Sequence, residues 1–420
     1  MKKLQLLLSA AALAAGIGLG CFAQVSAAPM VPERPRVVSD ATQPKLAVKT
    51  VGDHVIELPT ITEYDWEKVL KIDEESFNGY GCSAVGKVME NGEMVIGRSM
   101  DFFYSDKPVY IFRTAIPGFY KTIAISYNSF SGPDFAEVSK EGISQEELLP
   151  ILAFSCDVLN EKGLYIEGDM RNEEPEYTGI KLSSGTNPGA KERMSIAALI
   201  RYLGERAANV EEALALAKTV DVHGLKNEGT SWSGGLYVAD SSGRHGVLEL
   251  VDNKLVWMEG QAAHANFFLA DACRDKAVNG CGYGRYDVLQ SGIDAVKTEK
   301  DMADLIYKVR FSQLMDPDTC AFDPRSDFTE VDITPFEKAG IYTTRHALLE
   351  ENREKVLSIM REQGKAELAK TPEERNASSK GWVSAYKSSS IAIKRHSIFC
   401  SLKIRKTYTI SSCEIEGTAD

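Results

Sequence analysis

The sequence predicts an α+β fold built on antiparallel sheets. Segments with the alternating pattern of strands and segments with helical spacing occur in blocks, in the order strands, helices, strands, helices and strands. No regular alternation of one strand with one helix is present, which argues against a parallel, doubly wound sheet. Turn signals such as "ENG" at residues 90–92 join neighbouring strands, as expected for hairpins.

The first 28 residues have the features of a bacterial export signal. Lys2 and Lys3 precede an apolar stretch from Leu4 to Phe22, and a small-residue cleavage pattern follows at residues 25–27. We therefore expect a periplasmic or secreted protein with no stable membrane insertion after signal removal. A lipoprotein signal anchored at Cys21 is a second interpretation, although "GLGC" lacks the usual leucine three positions earlier.

Residues 29–81 form a leader with a composition of their own. The leader begins Pro-rich, contains one strand-like run, "DHVIELPTI", and has one helical segment around "DWEKVLKIDEESF". The "NGYG" that ends it marks a turn. We therefore predict three parts, namely a signal peptide at 1–28, a propeptide or leader at 29–81 and a catalytic domain at 82–420.

From Cys82 onward the elements follow one another without an internal repeat. Four strands and a short helix come first, and a strand pair, two amphipathic helices and a further set of strands follow. Asn209 is a good N-cap for the second amphipathic helix. Two more helices, a long charged helix and a last set of strands complete the chain. The segments in that order are "CSAVGKV", "EMVIGRSM", "PVYIFRTA", "KTIAISYN", "SQEELLPILAF", "DVLNEKGLYIEGDMR", "ERMSIAALIRYLGERA", "NVEEALALAKTV", "SGGLYVADSSGRHGVLELVDNKLVWMEG", "RYDVLQSGI", "DMADLIYKVRFSQLM", "LEENREKVLSIMREQGKAELAKTPEE", "WVSAY", "SIAIK", "SIFCSLKI" and "TYTI".

Composition narrows the class of function. The net charge is −12, so an exported chain of this kind is a poor candidate for binding nucleic acid. The eight cysteines contain no CxxC pair and the six histidines are scattered, so no metal site is expected. Nothing in the sequence decides the oligomeric state, and a homo-oligomer remains open.

Cys82 has unusual chemical potential if the Gly81–Cys82 bond is cut. It would then carry a thiol with a pKa near 8.5 and an α-amine with a pKa of about 7.7–8, which suits a general base. A nucleophile activated by its own amine needs no histidine. Because Gly81 lacks a Cβ, it can adopt the strained backbone that brings the thiol onto its carbonyl.

Arg98 and Asp101 follow Cys82 on the predicted hairpin, which would return them beside it. A guanidinium near the sulfur favours the thiolate, and a carboxylate can orient the α-amine. Taken alone, a cysteine at a strand start is more often a small buried side chain, and an Arg–Asp pair is more often part of a solvated turn. The remaining motifs decide between these interpretations.

"GCSAV", "GRSMDF", "NEKGLYIEGD", "HANFF" and "GRYDVL" occur in the order found in cysteine amidases with an N-terminal nucleophile. The chain resembles the linear amide C–N hydrolases: choloylglycine (bile salt) hydrolases, penicillin V acylases, acid ceramidase-type amidases and penicillin acyltransferases. The spacing from Cys82 to Arg98 and Asp101 is the most specific match. The resemblance covers 82–285, with a weaker echo at "GWVSAY". It implies a four-layer αββα sandwich, a self-cleaved precursor and hydrolysis of an N-acyl amide through a thioester on Cys82, with no cofactor.

The same resemblance implies roles for further residues. Asn266 corresponds to the oxyanion-hole amide and Arg285 to a second active-site arginine. Met170 stands where bile salt hydrolases have asparagine and the ceramidase-like branch has glutamate, which leaves the substrate subclass open. Asp169, Arg171 and Asn172 flank it, but a shift of one residue along a strand would face the wrong way. The candidate walls of an acyl pocket are Phe102, Phe103 and Tyr104.

Three alternatives accompany the amidase interpretation. Acyl transfer could replace hydrolysis if an amine rather than water meets the thioester. A peptidase could pair an internal cysteine such as Cys320 with His346, although no recognisable motif surrounds either. An exported binding protein could have kept the fold and lost the chemistry, with Met170 as its only support. The expected partner is a small N-acyl amide, with the leader discarded or retained as a small chain.

Overall fold

The computed structural model describes residues 44–52, 55–75, 81–101, 107–127, 132–172, 183–227, 230–270, 283–309, 334–342, 349–352, 354–356, 358, 359, 362 and 398–404. Strands make up much of this part of the chain. They are β1 (Lys49–Gly52), β2 (Val55–Glu57), β3 (Gly81–Val88), β4 (Met94–Asp101), β5 (Val109–Thr114), β6 (Thr122–Tyr127), β7 (Ser155–Asn160), β8 (Tyr165–Asn172), β9 (Arg193–Ser195), β10 (Asp221–His223), β11 (Leu225–Asn227), β12 (Thr230–Ala239), β13 (His245–Val251), β14 (Lys254–Glu259), β15 (Ala263–Ala265) and β16 (Ile398–Ile404).

Helices separate the blocks of strands, and several begin at the capping residues that helix N-termini favour. Asn209 accepts a hydrogen bond from the backbone N–H of Glu212, and Ser144 and Glu147 form a reciprocal capping box. The helices are α1 (Trp66–Glu75), α2 (Phe135–Glu141), α3 (Gln145–Ala153), α4 (Ile196–Gly204), α5 (Val210–Ala217), α6 (Tyr283–Gly292), α7 (Glu299–Tyr307) and α8 (Thr334–Lys338), with 3-10 turns at Ile293–Ala295 and Glu350–Asn352.

Within the described residues the largest sheet has ten strands, in the order β1-β2-β5-β6-β7-β8-β12-β13-β14, with β11 beside β12. A second sheet has the order β15-β3-β4-β16, and β9 and β10 form a separate pair. Most neighbouring strands are antiparallel, as the sequence predicts for an α+β fold. The parallel pairs β2–β5 and β9–β10 depart from that expectation.

The two main sheets share an inner core and carry helices on their outer faces. The inner core includes Ala84 and Ile96 from the smaller sheet and Tyr165 and Val247 from the larger one. A Cβ added to Gly168 on β8 would lie 2.5 Å from Ile200 of α4. A Cβ added to Gly97 on β4 would lie 2.8 Å from Ile306 of α7. At these positions the larger sheet therefore packs against α4 and the smaller sheet against α7.

The leader supplies parts of this frame. Strand β2 pairs in parallel with β5, and α1 packs against α3 and α4. The hydroxyl of Tyr64 donates to Glu205, with Oε1 at 2.8 Å. The boundary between leader and catalytic domain remains a prediction, but the described leader residues 44–52 and 55–75 pack as part of the same sheet and helix layer.

One predicted helix differs from the observed one, and another lies mostly outside the described residues. The segment "ERMSIAALIRYLGERA" begins as strand β9, and α4 starts only at Ile196, because Ser195 caps the helix by accepting from the N–H groups of Ala197 and Ala198. The long charged helix predicted from Leu349 lies mostly outside the described residues. Of the predicted C-terminal strands, β16 is present and pairs with β4, and the other three lie outside the described residues.

Candidate active site

The hairpin that the sequence predicts around Cys82 is present at the backbone level. Strand β3 pairs with β4, with Gly81 opposite Asp101, Cys82 opposite Met100, and Ala84 opposite Arg98. A turn with Gly92 at φ 78° closes the hairpin. Asp101 therefore lies beside the predicted cleavage point, while Arg98 lies beside the residue two positions after Cys82. The side chains of Cys82 and Asp101 are outside the described residues.

Arg98 is buried on the inner face of the smaller sheet, where it meets carboxylates of the larger sheet. Its Nε lies 2.9 Å from Glu167 Oε2 and 2.9 Å from Asp157 Oδ1. An Nη donates to the carbonyl oxygen of Gly168 at 3.0 Å. Asp157 also accepts a hydrogen bond from the Tyr165 hydroxyl at 2.7 Å. The guanidinium is thus fixed from two strands of the opposite sheet, β7 and β8.

His264 occupies the corresponding place on β15. Its Nε2 is bonded to Glu167 and its Nδ1 lies 3.0 Å from Asp169 Oδ2. The ring stacks on Tyr237, with centroids 5.7 Å apart and planes inclined by 7°. Carboxylates beside both ring nitrogens favour the imidazolium form of His264. A ring held in that form is poorly suited to act as general base for a thiol.

Burial and the surrounding charges shift the pKa values of this cluster. Burial lowers the pKa of His264, but Asp169 and Glu167 outweigh it and raise the pKa to about 9. Burial acts to raise the pKa of Glu167, yet His264 and Arg98 bring it below its usual value. Desolvation raises the pKa of Asp157 to about 6, even though Arg98 opposes the rise. At neutral pH the Arg98 guanidinium and the His264 imidazolium are therefore the two cations that contact the carboxylates of this cluster.

A second arginine lies on the outer, helix-covered side of β3. Arg285, fully buried on α6, donates to Ser83 Oγ at 2.6 Å and to Asn266 Oδ1 at 2.7 Å. A guanidinium can only donate, so the Asn266 oxygen must face it and the amide NH₂ is directed to other acceptors. Ser83 follows Cys82 directly. The guanidinium of Arg285 therefore links Asn266 to the residue that follows Cys82 on β3.

Several predicted site residues lie outside the described part of the chain. Phe102, Phe103 and Tyr104 are among them, and so are Cys320 and His346 of the alternative peptidase. Met170 is placed only by its backbone, which pairs with Gly234. Its predicted role, like those of Cys82 and Asp101, remains a prediction.

Four polar residues of the inner face were not assigned a role from the sequence: Asp157, Glu167, Asp169 and His264. The available signal was the spacing on β8, where Tyr165, Glu167 and Asp169 alternate with residues that face α4. Charged residues repeated at every second position of an otherwise apolar strand indicate a shared, paired environment. Asp169, which the sequence places beside Met170, is buried against His264.

Cys156 is a further described cysteine near the inner cluster, next to Asp157 on β7. It forms no disulfide, and desolvation raises the pKa of its thiol to about 12 despite the opposing charge of Arg98. A thiol with so high a pKa is almost entirely protonated near neutrality and is a poor nucleophile. This leaves Cys82 as the better candidate of the two.

No described helix combines the length and apolar character needed to cross a bilayer. No group of three or more His, Cys, Asp and Glu residues in the described ranges has the arrangement of a metal site.

Comparisons with known proteins give distant structural similarities. No protein-family model and no curated protein sequence matches the chain. The structure of a penicillin V acylase from Agrobacterium tumefaciens aligns at 18% identity and a TM-score of 0.38, covering 59% of this chain and 77% of that one. Two variants of a conjugated bile acid hydrolase from Clostridium perfringens align at 16% and 14% identity and a TM-score of 0.31, covering 50% of this chain and 57% of theirs.

Proposed function

We propose that the chain is a self-processing cysteine amidase that hydrolyses a linear N-acyl amide C–N bond through a thioester on Cys82. The observation that carries the proposal is the contact between Arg285 and Ser83, which are 202 residues apart in sequence. Ser83 directly follows the proposed nucleophile. Arg285 also holds Asn266, the amide that the sequence suggests for the oxyanion hole. Residues selected from separate motifs thus converge on one short strand.

Self-processing would begin with attack of the Cys82 sulfur on the carbonyl carbon of Gly81. The amide C–N bond breaks, a thioester joins Gly81 to the Cys82 side chain, and the released α-amine takes the thiol proton. Water then hydrolyses the thioester, which leaves a Gly81 carboxylate and restores the thiol. Asp101, opposite Gly81 in the hairpin, is suited to hold the new ammonium group.

Turnover would use the same atoms on a substrate. The α-amine accepts the thiol proton, the sulfur attacks the acyl carbon, and the Asn266 NH₂ donates to the developing oxyanion. The leaving amine takes the proton from the α-ammonium group and departs. Water, deprotonated by the α-amine, then cleaves the thioester and releases the free acid.

The proposal also includes the fold of the enzyme and its cellular location. The helix-covered outer faces and the shared inner core support a four-layer αββα sandwich of the N-terminal-nucleophile hydrolases. The export signal supports a periplasmic or secreted enzyme whose partner is a small N-acyl amide. We propose no role in binding nucleic acid, and self-association into a homo-oligomer would leave the chemistry unchanged.

We further propose that the leader stays bound after cleavage as a small chain. Strand β2 lies within the large sheet, and Tyr64 donates to Glu205 in a buried site. The guanidinium of Arg206 lies 5.4 Å from the ring centroid of Trp66, the first residue of α1. These contacts do not involve the Gly81–Cys82 bond, so cutting that bond leaves them intact.

Product analysis of a substrate panel tests the proposed activity. Purified wild type is incubated with glycocholate, taurocholate, penicillin V, an N-acyl-homoserine lactone and an N-acyl amino acid, and Cys82→Ala is the matched control. We expect the free acid and the amine in equal amounts from wild type and neither from the variant. Hydroxylamine, added as an amine that can take the place of water at the thioester, tests for acyl transfer. A wild type that stays uncut and has no thiol-dependent activity would contradict the proposal.

A further inference from the structure

The inner face of the smaller sheet contains more charge than the proposed mechanism uses. Arg98 and His264 from this sheet meet Asp157, Glu167 and Asp169 from the larger one, and all five are buried. Burying ionised groups is expensive, and such clusters often stabilise less than apolar side chains of the same size would. A cluster of this kind beside a candidate nucleophile therefore suggests a functional role.

The strand register places this cluster next to the nucleophile's strand. Ala84 of β3 has Arg98 opposite it on β4 and His264 opposite it on β15. Cys82 lies two residues before Ala84, so its backbone is roughly 7 Å further along the same strand. The backbones of His264 and Cys82 are therefore separated by roughly 9 Å. At such a separation, inside the protein, a unit charge still acts on a thiol.

The carboxylates around Arg98 carry more charge than its guanidinium, and His264 offsets part of the excess. Glu167 and Asp157 both contact the Arg98 guanidinium, and together they would more than cancel its charge. The His264 imidazolium contacts Glu167 from the opposite side and also binds Asp169. The imidazolium offsets one of the two carboxylate charges of β8, so less negative charge reaches Arg98.

We propose that His264 is a positioning residue whose imidazolium offsets one of the carboxylate charges of Glu167 and Asp169, so that the negative charge around Arg98 opposes formation of the Cys82 thiolate less. This inference rests on the proposed function, in which Cys82 acts as thiolate. His264 acts through Glu167 and Arg98 and does not touch substrate. The charged and titratable groups around it in the described residues are Glu167, Asp169, Arg98, Asp157, Tyr165 and Tyr237.

A purely structural role and the charge role give different results. Suppose that His264 only fills space and satisfies hydrogen bonds. Removing His264, removing Glu167, or removing His264 together with one carboxylate should then impair the site in the same way. If its charge matters, the sign of the removed charge decides the direction of the effect. Removing a cation raises the apparent pKa of the thiol, whereas removing a carboxylate lowers it.

The test measures the pH dependence of alkylation of Cys82 by iodoacetamide, read by peptide mass spectrometry. It uses full-length wild type, His264→Gln, Glu167→Gln and the charge-balanced double variant His264→Gln with Asp169→Asn. We expect His264→Gln to shift the midpoint of the profile upward by about one pH unit, Glu167→Gln to shift it downward, and the double variant to return toward wild type. Self-cleavage should slow in His264→Gln and recover in the double variant.

Circular dichroism identifies variants that fail to fold. If His264→Gln is one of them, the direction in which Glu167→Gln shifts the alkylation midpoint still tests the charge role. The inference is overturned if folded His264→Gln has the wild-type midpoint, if Glu167→Gln shifts in the same direction as His264→Gln, or if the double variant lies no closer to wild type. Failure of the proposed function looks different, because wild type itself would then remain uncut while its Cys82 profile could still be measured.

Discussion

The two faces of strand β3 place an arginine in two different environments. On the outer face the described partners of Arg285 are neutral oxygens of Ser83 and Asn266. On the inner face Arg98 meets two carboxylates, one of which is shared with His264. The Arg285 guanidinium orients the oxygens of Ser83 and Asn266, whereas the carboxylates around Arg98 offset its charge and His264 reduces that offset. Substitutions on the two faces should therefore have different consequences.

The largest expected effect on stability is at Arg98. Its removal leaves Glu167 and Asp157 buried without their guanidinium, which costs about 3–5 kcal/mol in such sites. Urea unfolding of Arg98→Ala, measured in a full-length Cys82→Ala background so that the chain stays whole, checks this. The control is Arg244→Ala, which breaks an exposed ion pair with Glu259 and should cost less than about 1 kcal/mol. Equal losses in the two variants would refute the account of the inner face.

Asn266 on the outer face should control rate more than stability. Asn266→Ala removes one donor to the oxyanion and should lower kcat by about 10²–10³, with little change in KM. Steady-state kinetics on whichever panel substrate is cleaved provides the measurement. Gln290→Ala is the matched control, because it removes a hydrogen bond to Tyr286 from the same helix as Arg285. An unchanged kcat in Asn266→Ala would exclude it from the oxyanion hole.

The inner face should also make stability depend on pH. His264 has a pKa of about 9 in the folded chain, raised above its unfolded value of about 6.5, so its contribution is complete below pH 6.5 and is lost as pH rises through 9. The loss is on the order of 3 kcal/mol. The free energy of unfolding at pH 6.5 and pH 9, in Cys82→Ala with and without His264→Gln, reports it. Identical pH dependence in both chains would contradict the assignment.

A smaller effect is expected where the leader contacts the domain. Tyr64→Phe removes a hydroxyl that donates to buried Glu205, while Arg201 still pairs with that carboxylate, so about 1–2 kcal/mol of binding should be lost. Size-exclusion chromatography of the cleaved protein in increasing urea should show the leader leaving earlier than in wild type. Lys45→Ala, at an exposed pair with Glu141, is the control. Release of the leader from wild type without urea would contradict its retention.

Local features of the fold could be predicted from the sequence. The β3–β4 hairpin, the helix cap at Asn209 and the helix at Gln145–Ala153 depend on neighbours a few residues apart. The parallel pairing of β2 with β5 could not, because it joins segments about fifty residues apart with no signal in either. The site divides in the same way. Spacing from Cys82 suggested Arg98, and the family resemblance at "HANFF" suggested Asn266. The carboxylates and imidazole around Arg98 come from three other strands, and only the packing of two sheets brings them together.

The central claim is that Cys82 becomes the N-terminus of a mature chain. Intact mass and N-terminal sequencing of purified wild type, beside Cys82→Ala, test it most directly. We predict a chain in the wild type that begins at Cys82, accompanied by a separate leader that ends at Gly81, and a single uncut chain in the variant. A wild type that keeps Gly81 covalently joined to Cys82, or a variant cut at the same bond, would contradict the account.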